Sequence, residues 1–275
     1  MAGYADDLAL AHVLADTADA ISVPRFRALD LHVTAKPDLT PVSDADTAVE
    51  KALRATLART RPRDAVLGEE YGASAAAAGQ GTRRWVIDPI DGTKNFIRGV
   101  PIWATLIALM DADRVVVGMV SAPALQRRWW AAVGRGAYAG RHASAATRIR
   151  VSGVNRLADA SFCYSSLPGW EQAGRLDDML EIIRCVWRTR AYGDFYGYML
   201  VAEGAVDAMV EPELSLWDLA ALVPIVTEAG GTFTDLNGQP GPAGGSAIAT
   251  NGELHDQVLE RLGTPTPGWV PGMSV

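Results

Sequence analysis

The chain has 275 residues, 49% hydrophobic and 21% charged, which is enough for a large buried core and excludes collagenous, disordered and coiled-coil architectures. Its 25 Lys and Arg against 32 Asp and Glu leave a net charge of −7, so the basic footprint of a phosphate-backbone binder is missing and nucleic acid is not an expected partner. Asp6, Asp7, Asp16 and Asp19 break the first apolar stretch, and nowhere do about 18 apolar residues run uncharged; neither a signal peptide nor a membrane span is predicted, and a cytoplasmic protein is expected.

In chain order, an amphipathic helix is predicted from Asp6 to about Ala28, weakened at Pro24. A polar loop, Lys36 to Pro41, leads to a second helix with Ser43 as N-cap and Ala45, Val49, Ala52, Leu53 and Leu57 on one face. Short apolar runs then predict strands at Ala65 to Gly68, Trp85 to Ile87, Ala104 to Met110, Val115 to Val120 and Arg128 to Val133, with Asp111-Ala112-Asp113 as a hairpin turn. The second half predicts strands near Phe162, at Ala208 to Val210, Thr232 to Thr234 and Ala247 to Thr250. Its helices are expected at Leu176 to Trp187, Phe195 to Glu203, Trp217 to Ala229 and from Glu253 onward. Runs of strands between runs of helices indicate layered α+β halves, with the boundary expected near residues 140–155 of a single domain over 1–263. Ala73 to Gly81 and the Pro- and Gly-rich tail from Thr264 to Val275 are expected to be a mobile loop and a disordered end.

Cys163 and Cys185 form neither a CxxC pair nor a disulfide framework and read as small buried hydrophobes, while His12, His32, His142 and His255 are scattered. Any metal is therefore expected to be hard and oxygen-bound. The strongest local signal is Trp85-Val86-Ile87-Asp88-Pro89-Ile90-Asp91-Gly92-Thr93. A hydrophobic strand delivers Asp88, Pro89 stiffens a turn, and Asp91 converges on the same point. Two carboxylates that close repel unless a cation separates them. Gly92 permits close backbone approach and the Thr93 hydroxyl can hold water or an oxyanion; the competing reading is a surface turn that caps the next segment. Gly68-Glu69-Glu70 ends one strand and Trp217-Asp218 opens a helix, where Asp218 also fits a plain N-cap role. Glu69, Asp88, Asp91 and Asp218, with the Ile90 carbonyl, would make the all-oxygen set that Mg²⁺ prefers.

Five collinear segments, Asp38-Leu39-Thr40 through Ser43-Asp44, Gly68-Glu69-Glu70, Asp88 to Thr93, Gly134-Arg135-Gly136-Ala137-Tyr138 and Trp217-Asp218-Leu219-Ala220-Ala221, resemble the inositol-monophosphatase superfamily over roughly residues 5 to 262. The resemblance implies a layered αβαβα sandwich, Mg²⁺-dependent and lithium-sensitive hydrolysis of a small phosphate ester, and a homodimer. It further implies a first metal at Glu69, Asp88 and the Ile90 carbonyl, a second at Asp88, Asp91 and Asp218, and a third, looser ion near Glu69. The activated water would lie between Glu69 and Thr93, with Asp44 hydrogen-bonded to the threonine, and Asp91, Gly92, Thr93 and Asp218 would also line the substrate site.

Inositol-specific members carry small or hydroxyl residues after a glycine where this chain has Gly193-Asp194-Phe195-Tyr196. With Lys94 to Pro101 and Glu211-Pro212-Glu213-Leu214, that departure resembles the histidinol-phosphate phosphatase branch, which implies a step of histidine biosynthesis. A carboxylate beside aromatic rings suits an ammonium and an imidazole better than a polyol. Asp194 also fits a helix cap, and Arg190 and Glu211, expected at the substrate, also fit a surface ion pair and strand-end solvation. Lys36 and Lys94 read either as phosphate attractors or as solvated side chains, and Trp129-Trp130 as core or interface. An inositol-1-phosphate or broad sugar-phosphate phosphatase, and a non-catalytic metal- or phosphate-binding regulator, remain the alternatives.

Overall fold

The computed structural model describes residues 4–74 and 82–262. Residues 75–81 of the Ala-rich stretch and the tail from Thr264 lie outside the described residues. In chain order the first elements are α1 (Ala5–Arg25), β1 (Val33–Ala35), β2 (Pro41–Ser43), α2 (Asp44–Thr60), β3 (Ala65–Gly68), β4 (Gly72–Ala73), β5 (Arg83–Asp91), α3 (Thr93–Arg98), β6 (Ala104–Asp111), β7 (Arg114–Ala122), β8 (Arg127–Ala132), β9 (Ala137–Gly140) and β10 (Thr147–Arg148). They continue with β11 (Ser161–Tyr164), α4 (Leu167–Gln172), α5 (Leu176–Cys185), β12 (Arg188–Arg190), α6 (Asp194–Ala202), β13 (Ala208–Glu211), α7 (Leu216–Ala220), α8 (Leu222–Glu228), β14 (Thr232–Thr234), β15 (Ala247–Thr250) and α9 (His255–Leu262).

Period-2 alternation sets the layers. In β5, Trp85 and Ile87 enter one cluster with Leu14 of α1 and Leu53 and Leu57 of α2, while Val86 enters another with Phe195 and Met199 of α6 and Leu222 and Ile225 of α8. Trp129 and Trp130 divide between the same two clusters, so the aromatic pair is core on both faces of one sheet. That sheet has eight strands in the order β10-β9-β8-β7-β6-β5-β3-β4, antiparallel except where β3 runs parallel to β5. A second sheet, β12-β11-β13-β15-β14, contributes Met209 and Ala249 to the α6/α8 cluster and Phe162, Val210 and Ile248 to an outer cluster with Met179 of α5 and Val258 of α9. The result is helix, sheet, helix, sheet, helix: the layered sandwich.

Three predicted helices end differently. α1 stops at Arg25, one residue past Pro24, and α5 stops at Cys185, leaving Trp187 67% exposed. The predicted Trp217 to Ala229 helix is two, α7 and α8, joined at Ala221. Pro224 has no N–H and its ring would clash with the carbonyl of Ala220, four residues back. The sheet accommodates this junction at Gly118, where an added Cβ would lie 2.2 Å from the Ala221 carbonyl oxygen. Cys163 is buried as expected, but Cys185 is exposed because it falls on the solvent side of the last turn of α5.

Candidate active site

β5 carries the acidic motif to the end of its sheet, and it does so as strand rather than turn. Residues three apart on a regular strand face opposite sides. Pairing of β5 with β6 shifts between Asp88, opposite Leu106, and Asp91, opposite Ala104, so one extra residue is inserted in β5. Pro89, which cannot donate to the ladder, lies in that bulge, its carbonyl accepting from Thr105 Oγ1 at 2.8 Å. The insertion turns Asp91 to the side of Asp88.

Asp218 arrives from α7. Ser215, not Asp218, is the N-cap, and Asp218 stands at the third helical position, where it accepts the Ser215 N–H at 2.7 Å in a capping box. One ligand-capable oxygen of each of Asp88, Asp91 and Asp218 lies within 4.8 Å of the others. Burial pushes the Asp88 and Asp91 carboxyls well above the ordinary range, and repulsion adds to it, from Glu69, Asp91 and Asp218 on Asp88 and from Asp194 and Asp218 on Asp91. Burial likewise raises Asp218 to about 7. Asp88 Oδ1 is buried with no hydrogen-bond partner among the described residues. A buried orphan oxygen amid three converging carboxylates fits a hard divalent cation, whose charge offsets the repulsion and whose coordination uses the spare lone pairs.

Glu69 lines the cavity in front of this cluster, a space of about 630 Å³ that also meets Lys36, Thr93, Asp194 and Asp218. It follows β3, and its N–H bonds the Ile87 carbonyl at 3.2 Å, which fixes its height relative to Asp88. Lys36, from the loop between β1 and β2, is held by two carboxylates at the cavity rather than solvated. Its Nζ donates to Glu69 Oε1 and Glu70 Oε1, both at 2.7 Å; although burial opposes its charge, these bonds push its pKa up. Burial raises Glu70 to about 7. Behind them, fully buried Glu50 of α2 accepts the N–H groups of Glu70 at 2.7 Å and Tyr71 at 3.2 Å and so holds the turn bearing Glu69.

The expected bond from Asp44 to Thr93 is not formed. Asp44 is the first residue of α2 and points outward to Arg25, at 2.7 Å. Asp46, two residues on and fully buried, points back along the helix: it accepts Ser43 N–H at 2.9 Å and Ser43 Oγ–H at 2.5 Å, and its Oδ1 lies 3.2 Å from Thr93 Oγ1. The Ser43-x-x-Asp46 spacing was the sequence signal for this. Thr93 Oγ1 is also 3.0 Å from the Ile90 carbonyl oxygen. A hydroxyl owns one proton, so donation to Asp46 leaves that carbonyl free for another partner.

Asp194 begins α6 with φ 49°, a left-handed conformation, and its carboxylate reaches into the cavity rather than capping its own helix. A recess of about 170 Å³ continues inward between Asp91, Asp194, Phe195, Tyr198, Glu211 and Asp218. Glu211 is buried there, not solvated at a strand end; burial raises it to about 8, against the bond it accepts from Tyr198 Oη–H at 2.7 Å. Arg190 departs from expectation: it is exposed on β12, donates to the neighbouring Thr189 carbonyl and lines neither space, because the last residue of an edge strand faces solvent.

A model of the inositol monophosphatase family matches residues 8–264. The chain belongs to that family. Within it, the chain is similar to a histidinol-phosphatase of Streptomyces coelicolor, 64% identical over 95% of this chain and 98% of the relative, and to one of Mycobacterium tuberculosis, 58% identical over 94% and 98%. Among solved structures it is similar to an inositol monophosphatase from Zymomonas mobilis, with a TM-score of 0.82 and 34% identity over 95% of this chain and 99% of that one. Family membership accounts for the five collinear motifs and for the sandwich that brings their acidic ends together. No helix of the described residues is long and apolar enough to cross a membrane.

Proposed function

We propose that this chain is a phosphomonoesterase that hydrolyses L-histidinol phosphate to L-histidinol and phosphate, with Mg²⁺ held by Glu69, Asp88, the Ile90 carbonyl, Asp91 and Asp218. Two to three ions per site are expected from the family resemblance. When bound, Mg²⁺ lowers the pKa of a coordinated water and offsets phosphate charge. Glu69 accepts the proton of the attacking water, and the Thr93 hydroxyl, oriented by Asp46, positions that water. Gly92, in the left-handed region at φ 83°, brings backbone N–H groups at the head of α3 to the phosphate without a side chain in the way. Asp194 pairs with the substrate's ammonium, and Glu211 and the aromatic wall of the recess face the rest of the molecule.

The observation that carries this reading is Asp194: a carboxylate that shares the cavity with Glu69 and Asp218 and the inner recess with Asp91 and Asp218, where a neutral polyol offers it no counter-charge. The names of the two similar histidinol-phosphatases support it. Phosphate release is measured from histidinol phosphate, inositol 1-phosphate and glycerol 2-phosphate. Histidinol phosphate is expected to show the highest kcat/KM, with activity lost in EDTA and restored by Mg²⁺ but not Ca²⁺, whose longer bonds and higher coordination number fail to hold water and phosphate in line. A higher kcat/KM for inositol 1-phosphate overturns the substrate while keeping the reaction. No release from any ester points to a non-catalytic metal- or phosphate-binding protein. We further propose a cytoplasmic homodimer of single-domain chains, each of two closely packed halves, which sedimentation at the mass of one chain would refute.

A further inference from the structure

Asp194 does not stand alone in the cavity. The Asn95 side-chain nitrogen, from the middle of α3, lies 2.9 Å from Asp194 Oδ2 and 2.9 Å from the Ile102 carbonyl oxygen. Both neighbours are acceptors only, so the two N–H groups of one amide are both used and its orientation is fixed by chemistry. α3 itself is clamped between two left-handed glycines, Gly92 and Gly99, and the carbonyl of Asn95 accepts the Val100 N–H at 2.9 Å. The segment carrying the metal-facing motif therefore also carries the donor that holds Asp194. A second tie runs alongside: Phe195 N–H donates to Asp91 Oδ2 at 2.7 Å. α6 is thus pinned at its first residue to Asn95 and at its second to Asp91.

We propose that Asn95 is the positioning residue for substrate selection. By occupying Oδ2 of Asp194 it directs the other oxygen, Oδ1, at the cationic group of the substrate and fixes the distance between that carboxylate and the phosphate-binding end of α3. This rests on the reading above, that Asp194 faces a cation. The left-handed backbone of Asp194 makes the bond consequential, because a non-glycine residue there is held in place by its surroundings rather than by its own preference. Without the amide, the carboxylate is free to turn toward nearby Lys94, whose charge already acts on it. Asn95 touches no reacting atom in this scheme.

The test compares kcat/KM for histidinol phosphate with that for glycerol 2-phosphate, whose alcohol part is uncharged, in wild type, Asn95→Ala, Asp194→Asn and the double variant. Thermal scans establish that each is folded. Asn95→Ala is expected to lower the ratio of the two kcat/KM values about ten-fold, the scale of one charge-assisted hydrogen bond, chiefly through KM for histidinol phosphate. In the Asp194→Asn background the same change is expected to move the ratio about two-fold or less, because coupled residues are not additive. Asn95→Asp, equal in shape but no longer a donor, is expected to fall at least as far and keeps the test open if the alanine variant is unstable. Equal losses on both esters, or an undiminished effect of Asn95→Ala beside Asp194→Asn, overturn the proposal. A ratio unchanged in Asp194→Asn alone overturns the charge reading and this proposal with it, whereas a ratio lost in Asp194→Asn but kept in Asn95→Ala overturns the role of Asn95 alone.

Discussion

The two aspartates at the head of α2 give opposite expectations. Asp44 pairs with Arg25, their side chains 38% and 25% exposed, and solvent screens a pair this exposed, so it adds little to stability. Asp44→Ala should leave kcat near wild type and move Tm little. Asp46 is fully buried and ties together Ser43 and Thr93. Asp46→Ala removes the capping box, about 1 kcal/mol, and strands a buried donor, about 1–3 kcal/mol more. Part of this is offset, because burial raises the Asp46 carboxyl above its ordinary range and its removal relieves that penalty. A net loss of about 2 kcal/mol lowers Tm by roughly 4–8 °C for a chain of this size. The larger effect falls on kcat: with Thr93 no longer oriented, misplacement of the water by about 1 Å reduces turnover on the order of 10²-fold. The assay is phosphate release at saturating Mg²⁺ below the Tm of each variant. Wild-type kcat in Asp46→Ala, or equal damage from Asp44→Ala, refutes the reasoning.

Other perturbations test the remaining parts of the site. Glu69→Gln keeps shape but cannot accept the water's proton, so kcat should fall at least ~10²-fold; a value near wild type in a metal-saturated assay would place the base elsewhere. Asp194→Asn should reduce kcat/KM for histidinol phosphate on the order of thirty-fold or more, the scale of losing one partner of a buried charge pair, since the Asn95 amide holds the new oxygen and turns an N–H toward the ammonium; an unchanged value would remove Asp194 from recognition. The metal-free protein should lose stability as pH rises from 6.5 to 8. Asp218 at about 7 and Glu211 at about 8 hold protons in the folded state that the unfolded chain has already released, so their contribution declines through that window. His12 and His255, lowered from 6.5 by burial, act in the opposite direction only below that value. Divalent cation competes with those protons, so its Tm increment should grow with pH; a metal-free Tm that rises from pH 6.5 to 8 contradicts this.

Much of the architecture is written locally. The unbroken apolar run Trp85-Val86-Ile87 specifies a strand buried on both faces and Ser43 marks a helix start, because each depends on residues within a few positions. The acidic residues Glu69, Asp88, Asp91 and Asp218 are likewise visible, since each lies in or beside an element whose hydrophobic pattern is plain. The break at Ala221 was also latent in Pro224, where a backbone rule outweighs a continuous apolar pattern.

What the sequence left open concerns direction and partner. Asp44 and Asp46 are alike in type and nearly in position, and only the turn of α2 against β5 and α3 decides that one meets Arg25 and the other Thr93. Whether Asp88 and Asp91 share a side depends on an insertion that exists only relative to β6. Lys36 could have been a solvated side chain until its loop was placed over Glu69 and Glu70, and Asn95 and Asp194, 99 positions apart, meet only because α3 and α6 converge on one cavity. Periodicity and capping are short-range, fixed by backbone geometry and burial over a turn or two of chain. The pairing of charges and amides across layers is long-range, fixed by the packing of two sheets around shared helices, and it is there that one carboxylate among 32 acidic residues becomes a ligand, a brace or a surface charge.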